Sequence, residues 1–210
     1  RIRAAGVKIA SSAFAAPPGI RQSPYEMQDP VHDMMKINAF ALEGYDAAIF
    51  YDNDVELTGN GDVTQLFRCA SQDYFLSTSG PLSNLNAGFM AFRPSVELAT
   101  AMVNFAENSE FDMHTGWANA GITPGYSVGP NQQIFYFTFF YKSSAAINKA
   151  YDDVGVAPPK SRQLDRCVWN FLDKVGCDAN WTCDEVFVIH KDSKACKHLG
   201  PAHVRDISVS

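Results

Sequence analysis

The chain has 210 residues, 46% of them hydrophobic and 12% aromatic, and a net charge of −6. That length suffices for one sizeable α/β domain with a packed core, and the composition excludes a disordered chain. An acidic balance without a basic cluster argues against nucleic-acid binding and gives no reason for adhesion to anionic lipid.

The opening, Arg1-Ile2-Arg3-Ala4-Ala5-Gly6, reads as the tail of a helix running into a strand at Val7–Ala10. It predicts a further segment, or a partner chain, upstream. A Pro/Gly-rich loop follows, from Ala16 to about Pro30. From Val31 to Gly44 the pattern turns helical. Met34, Met35, Ile37, Ala41 and Leu42 supply the apolar face, with Asp29 as N-cap and Gly44 as stop. An apolar strand over 47–51 then ends in Asp52-Asn53-Asp54, and Asp62 to Phe67 predicts a turn or two of helix.

Tyr74–Thr78 and Leu85–Phe92 read as strands, the second ended by Arg93-Pro94. Ser95 caps a helix predicted to reach about Asn108. Residues 109–130 read as loop, Pro130–Tyr141 as helical or mixed, and 142–184 shows no clear pattern. Glu185–His190 predicts a strand with His190 at its end. No apolar run approaches the roughly 18–20 residues of a membrane span. The nearest, Ile134 to Tyr141, reads as a buried helix. Strands alternating with helices predict a single α/β domain over 1–210, its sheet mostly parallel and covered by helices on both faces.

Cys69, Cys167, Cys177, Cys183 and Cys196 form no Cys-x-x-Cys pair and no zinc spacing. Four of them crowd into the last third, which predicts one or two disulfides and an odd thiol. Asn180-Trp181-Thr182 is a glycosylation sequon. Together these favour a glycoprotein of the secretory lumen, such as the Golgi, or the extracellular space. The cytoplasm, with reduced cysteines and a chance sequon, is the alternative.

Asp52 and Asp54, spaced i, i+2 after a buried strand, can reach one hard cation, and that cation can hold a diphosphate. By themselves Asp and Asn are ordinary turn residues after a strand. Further residues fall near strand ends: Lys36 on the preceding helix, Asn86-Ala87-Gly88, Asn131-Gln132 and His190. Open α/β sheets bind ligands at the carboxyl ends of their strands.

The run Lys36-Ile37-Asn38-Ala39-Phe40, then Tyr45 through Asp52-Asn53-Asp54-Val55, then Asp62-Val63-Thr64-Gln65-Leu66-Phe67, resembles glycosyltransferase family 8, the glycogenin and galactinol-synthase group. Leu85-Asn86-Ala87-Gly88-Phe89 is similar to that family's Asn-Ser-Gly strand. The resemblance covers about 31–106, continues at 129–140 and 185–197, and is absent between them. It implies a GT-A (Rossmann-like) fold, a Mn²⁺ cofactor and retaining transfer from a nucleotide-sugar donor, a UDP-sugar, to a glycan or protein acceptor. Asp52, Asp54 and His190 would be the metal ligands. Mixed carboxylate and imidazole ligation suits a borderline cation that also grips phosphate oxygens. Lys36 would lie near the donor phosphates or sugar. Asn86, with Ala87 and Gly88 beside it, would meet the donor sugar, and Gln132 would sit by the reacting carbon.

Three departures accompany the resemblance. Asn131 stands where the family carries Asp in its catalytic pair. The terminal signature lacks its glycine and Pro-Trp, and its lysine is displaced to Lys197 or replaced by Lys194. The family's first nucleotide-binding strand and helix would precede Arg1. The variable stretch 109–184 would choose the acceptor. These departures support an alternative, a catalytically impaired glycosyltransferase-like domain serving as a structural or assembly subunit. A third reading is a haloacid-dehalogenase-type phosphatase with Asp52 as nucleophile. It fits less well, since Val55-Glu56 stands where Gly-Thr is expected, and only Asp152-Asp153 could imitate the later acidic pair.

Overall fold

The structure, a computed structural model, describes residues 34–80, 83–112, 114–120, 130–141, 144–171, 177, 182–190 and 196. At 130, 131 and 190 it describes the backbone alone. The predicted strand at Val7–Ala10, the Asp29 cap, the sequon at Asn180 and Lys197 lie outside these residues.

The first described element is a 3₁₀ helix, Met35–Ala41, within the stretch 31–44 that the sequence read as helical. The reason lies in its spacing. Met34, Ile37 and Phe40 are the buried residues and recur every third position, which matches the three-residue turn of a 3₁₀ helix. The Asn38 side chain also donates to the Met35 carbonyl at 3.0 Å, competing with the α-helical ladder. The chain leaves the helix at Leu42, before Gly44, whose φ is +81°.

Strands β1 (Ala48–Tyr51) and β2 (Val55–Leu57) follow, then helix α1 (Thr64–Ala70), whose Thr64 N–H is held by Asp62 Oδ1 at 2.8 Å. The Thr64 hydroxyl and that backbone bond hold the Asp62 carboxyl below the usual aspartate range. Strands β3 (Tyr74–Thr78) and β4 (Asn86–Phe92) fall where the sequence placed them. Helix α2 (Val96–Asn108) is capped by Ser95, whose Oγ accepts from Leu98 N at 3.1 Å. The Ser95 N–H donates to Phe40 O at 2.7 Å, tying this helix start to the 3₁₀ helix.

Within the stretch read as loop, β5 (Phe111–Asp112) and β6 (Gly116–Trp117) pair as a short hairpin. Helix α3 (Pro130–Phe139) is the buried aromatic helix the sequence predicted, with Ile134, Phe135, Phe137 and Phe139 fully enclosed. The unreadable stretch supplies α4 (Ala145–Val154), β7 (Lys160–Leu164) and a single turn, α5 (Arg166–Trp169). Gly155, at φ +67°, ends α4 in the left-handed conformation. A 3₁₀ turn over Cys183–Glu185 then leads into β8 (Val188–His190), so the predicted strand starts later than Glu185.

The main sheet has the order β1-β4-β3-β7. Among the described strands, β1/β4 and β4/β3 pair antiparallel and only β3/β7 pairs parallel. This corrects the expectation of a mostly parallel sheet. The physical reason is connection length. The short 79–85 loop can only return the chain antiparallel, whereas β7 arrives after helices α2, α3 and α4. Helices do cover both faces. Phe50, Phe75, Met90 and Phe92 face the 3₁₀ helix, α2, α3 and α4. Ile49, Leu76, Phe89 and Ala91 face Leu66 and Ala70 of α1 together with Val55 and Val188. Phe40 stacks on Phe92 with centroids 3.8 Å apart, and Phe75 on Phe139 at 3.7 Å. The chain is thus a mixed α/β protein with a mixed sheet.

Candidate functional site

Asp52 follows β1 directly. Its N–H donates to Gly88 O at 2.9 Å, which extends the β1/β4 pairing by one residue. Val55 N then donates to Asp52 O at 3.1 Å, closing a turn that carries Asp52 and Asp54 on either side of Asn53. The carboxylate pair is therefore part of a closed turn between β1 and β2, not an open tail.

Lys36 reaches the turn from the 3₁₀ helix. Its ammonium lies 2.8 Å from Asp52 Oδ1 and 2.9 Å from Oδ2, and 5.4 Å from the Phe50 ring centroid. The side chains are 14% and 29% exposed, so the pair is only partly screened by water.

The second part of the site is an irregularity in β4. Ser77 of β3 pairs with Met90, but the next residue, Thr78, pairs with Asn86. Residues Ala87, Gly88 and Phe89 are thus left over on the β3 side and lean toward β1. Asn86 Oδ1 accepts from Gly88 N at 2.7 Å and stiffens this bulge. Bulges re-aim backbone groups and recur beside functional sites. Gln132, in the first turn of α3, approaches the same place: its Oε1 accepts from Ala87 N at 3.4 Å. Because β4 runs antiparallel to β1, Asn86 opens its strand instead of ending it.

The third part is β8. Val55 pairs with His190, Glu56 with Ile189 and Leu57 with Val188. The His190 backbone therefore stands in register with the residue directly after Asp54. Thr58 fastens the pairing: its N–H donates to Phe187 O at 3.0 Å and its hydroxyl to Val186 O at 2.5 Å. Gly61 lies against the Phe187 ring so closely that a Cβ there would fall 2.0 Å from Cδ2. Behind β8, Phe171 bridges to Ile189. Disulfides Cys167–Cys177 and Cys183–Cys196 brace the flanking segments, leaving Cys69 as the odd thiol.

The structure thus brings Lys36, Asp52, Asp54, Asn86, Ala87, Gly88 and Gln132 to one end of the sheet, with the His190 backbone beside them. The side chains of His190 and Asn131 lie outside the described atoms. Among the described residues, no group of three His, Cys, Asp or Glu side chains converges on one point. The donor set on view is two carboxylates of one tight turn, which is hard-cation chemistry. Sequence reasoning missed residues that hold the site together: Thr58, Gly61 and Thr78. Gly59-Asn60-Gly61 was the one available signal, since closely spaced glycines mark close approach of another group.

Among the described residues, no helix is long and apolar enough to cross a membrane. No protein-family model matches the chain, and a comparison with characterised proteins gives no match.

Proposed function

We propose that this chain is a GT-A-type glycosyltransferase domain that uses Mn²⁺ and a UDP-sugar donor to glycosylate a glycan or protein acceptor with retention. The observation that carries this reading is the meeting of Lys36, the Asp52-Asn53-Asp54 turn, the Asn86–Gly88 bulge and Gln132 at one end of the sheet. Asp52, Asp54 and His190 would hold the cation. Mn²⁺, when bound, supplies Lewis acidity to the diphosphate leaving group. Lys36 would orient the donor phosphates as a point charge. Asn86 and the Ala87-Gly88 backbone would fix the hexose, and Gln132 would stand beside its reacting carbon. Asn131 would take the place of the family's aspartate without its charge. The two disulfides accord with an oxidising, lumenal compartment.

The test is UDP-sugar hydrolysis and donor binding with Mn²⁺. The reading expects both in the wild type, and a loss of about 10²-fold or more in turnover for Asp52→Asn and Asp54→Asn. A wild-type protein with neither donor binding nor turnover would sink it.

One observation favours a second reading, a glycosyltransferase-like assembly subunit. Both Asp52 oxygens are already engaged by Lys36. That arrangement is self-sufficient without a cation. Absence of Mn²⁺ binding in both wild type and Lys36→Met would decide for the assembly role.

A further inference from the structure

At the end of the sheet opposite the carboxylate turn lies a cavity of about 520 Å³. It opens where β3 and β7 begin, β4 ends and α2 starts. The length of β4 sets it roughly 20 Å from Asn86. The volume falls in the range of small-molecule sites. The interior is lined by Phe75, Phe92, Pro94, Leu98 and Phe139, all buried. One wall is the loop between α4 and β7, with Ala157, Pro158 and Pro159. Proline rings fix φ, so this wall and Pro94 lose little freedom when a ligand arrives. Asp73, Arg93, Glu97 and Lys160 stand exposed at the mouth. Three of these charges are answered within the fold. Arg93 Nη1 lies 3.0 Å from Asp73 Oδ1. Glu97 accepts the Ser95 hydroxyl at 2.7 Å and sits in the first turn of α2, where the helix dipole favours an anion. Lys160 differs. Its backbone N–H donates to Asp73 O at 3.0 Å, which seats it at the mouth. Its ammonium lies 5.4 Å from the Tyr74 ring centroid and has no carboxylate partner among the described residues. A ring face attracts a cation without neutralising it.

We propose that this cavity is a second binding site, taking a small amphiphilic monocarboxylate with its apolar body among the phenylalanines and its carboxylate on Lys160. The inference stands apart from the glycosyltransferase reading, because it uses none of the residues of the carboxylate turn. Burial of the apolar body supplies most of the affinity, and the ion pair at the mouth fixes orientation. Charge also sets a limit. Asp73 and Glu97 flank the mouth and oppose any second negative charge on the ligand, which disfavours a diphosphate.

The experiment is calorimetric titration of the full chain with hydrocinnamate and octanoate, their neutral amides serving as controls. At least one acid should bind saturably, and its amide about threefold to fivefold more weakly, as expected for an exposed ion pair. Lys160→Met should bring the acid down to the affinity of the amide and leave the amide unchanged. Ala157→Trp fills the mouth and should weaken acid and amide alike by about tenfold or more. Both substitutions replace exposed side chains, which the fold tolerates. No saturable binding of either acid at millimolar concentration overturns the proposal. So does an amide that matches its acid, or an acid affinity unchanged in Lys160→Met. An unchanged affinity in Ala157→Trp would put the ligand elsewhere and overturn it too.

Discussion

Lys36 grips Asp52 by both carboxylate oxygens, at 2.8 and 2.9 Å. The contact sets an ammonium in competition with any cation for the first carboxylate of the turn. Lys36→Met removes the competitor and keeps the packing on Phe50. Mn²⁺ affinity should then rise by about threefold to tenfold, as expected for a partly exposed ion pair. On the glycosyltransferase reading, affinity for a UDP-sugar should fall, because the donor phosphates would lose their positive partner. Manganese titration followed by electron paramagnetic resonance reads the first effect. Weaker Mn²⁺ binding in the variant would mean that the lysine positions Asp52 for the cation instead of competing for it.

The Cys183–Cys196 disulfide closes a separation of 13 residues around β8. Loops of that size confer about 2–3 kcal/mol by restricting the unfolded chain. Replacing both cysteines with serine should lower the denaturation free energy by about that amount. On the glycosyltransferase reading it should also weaken Mn²⁺ binding, because β8 carries the His190 backbone beside the turn. Denaturation with guanidinium and metal titration on one preparation test both consequences. Unchanged Mn²⁺ affinity would detach His190 from the metal.

Tyr151 offers a contrasting case, remote in role from the site. Its hydroxyl is buried and donates to Thr138 O at 2.9 Å, and burial drives its ionisation well above the usual phenol range. Tyr151→Phe leaves the carbonyl without this donor and should cost about 1–2 kcal/mol. The urea midpoint should fall at constant slope. Donor and metal binding should not change.

Acid should loosen the β5/β6 hairpin before the sheet. Asp112 Oδ1 accepts from His114 N at 2.8 Å and Thr115 N at 2.9 Å, and these bonds hold its carboxyl below the usual range. A depressed carboxylate stabilises the fold at pH above its unfolded value, about 3.9. The contribution is lost as pH falls through the lower folded value. Trp117, paired with Phe111, should report this as a fluorescence change below about pH 4. Asp112→Asn should remove the acid-dependent step.

The strands and helices with strong local signals were legible in the sequence. Tyr74–Thr78 opens on two aromatic residues and ends on a β-branched one, and Ser95 before an apolar run announces helix α2. Strand direction was not legible. Apolar runs such as Phe89–Phe92 show burial on both faces, and an antiparallel strand between two helical layers shares that property with a parallel one. The 3₁₀ form of Met35–Ala41 was in the three-residue spacing of Met34, Ile37 and Phe40, but the apolar neighbours Met35, Ala41 and Leu42 masked it. Of the site, the residues with chemistry stood out because Asp-x-Asp is compact. Thr78 and Asn170 did not, because their hydrogen bond joins residues 92 apart in sequence, which no local pattern encodes.

The β2/β8 pair also bears on how the protein reaches its native state. Thr58 and Phe187, joined across it, are 129 residues apart in sequence. Contacts of such separation form after local ones, because closing the loop must precede any gain from the contact. The aromatic layer over β3 and β4 and the turn Asp52–Val55 involve nearer partners. The order of assembly therefore runs from sheet to site, with the carboxylates in place before their strand neighbour arrives. Conditions that delay oxidation of Cys183 and Cys196 would prolong the interval in which the turn waits for β8.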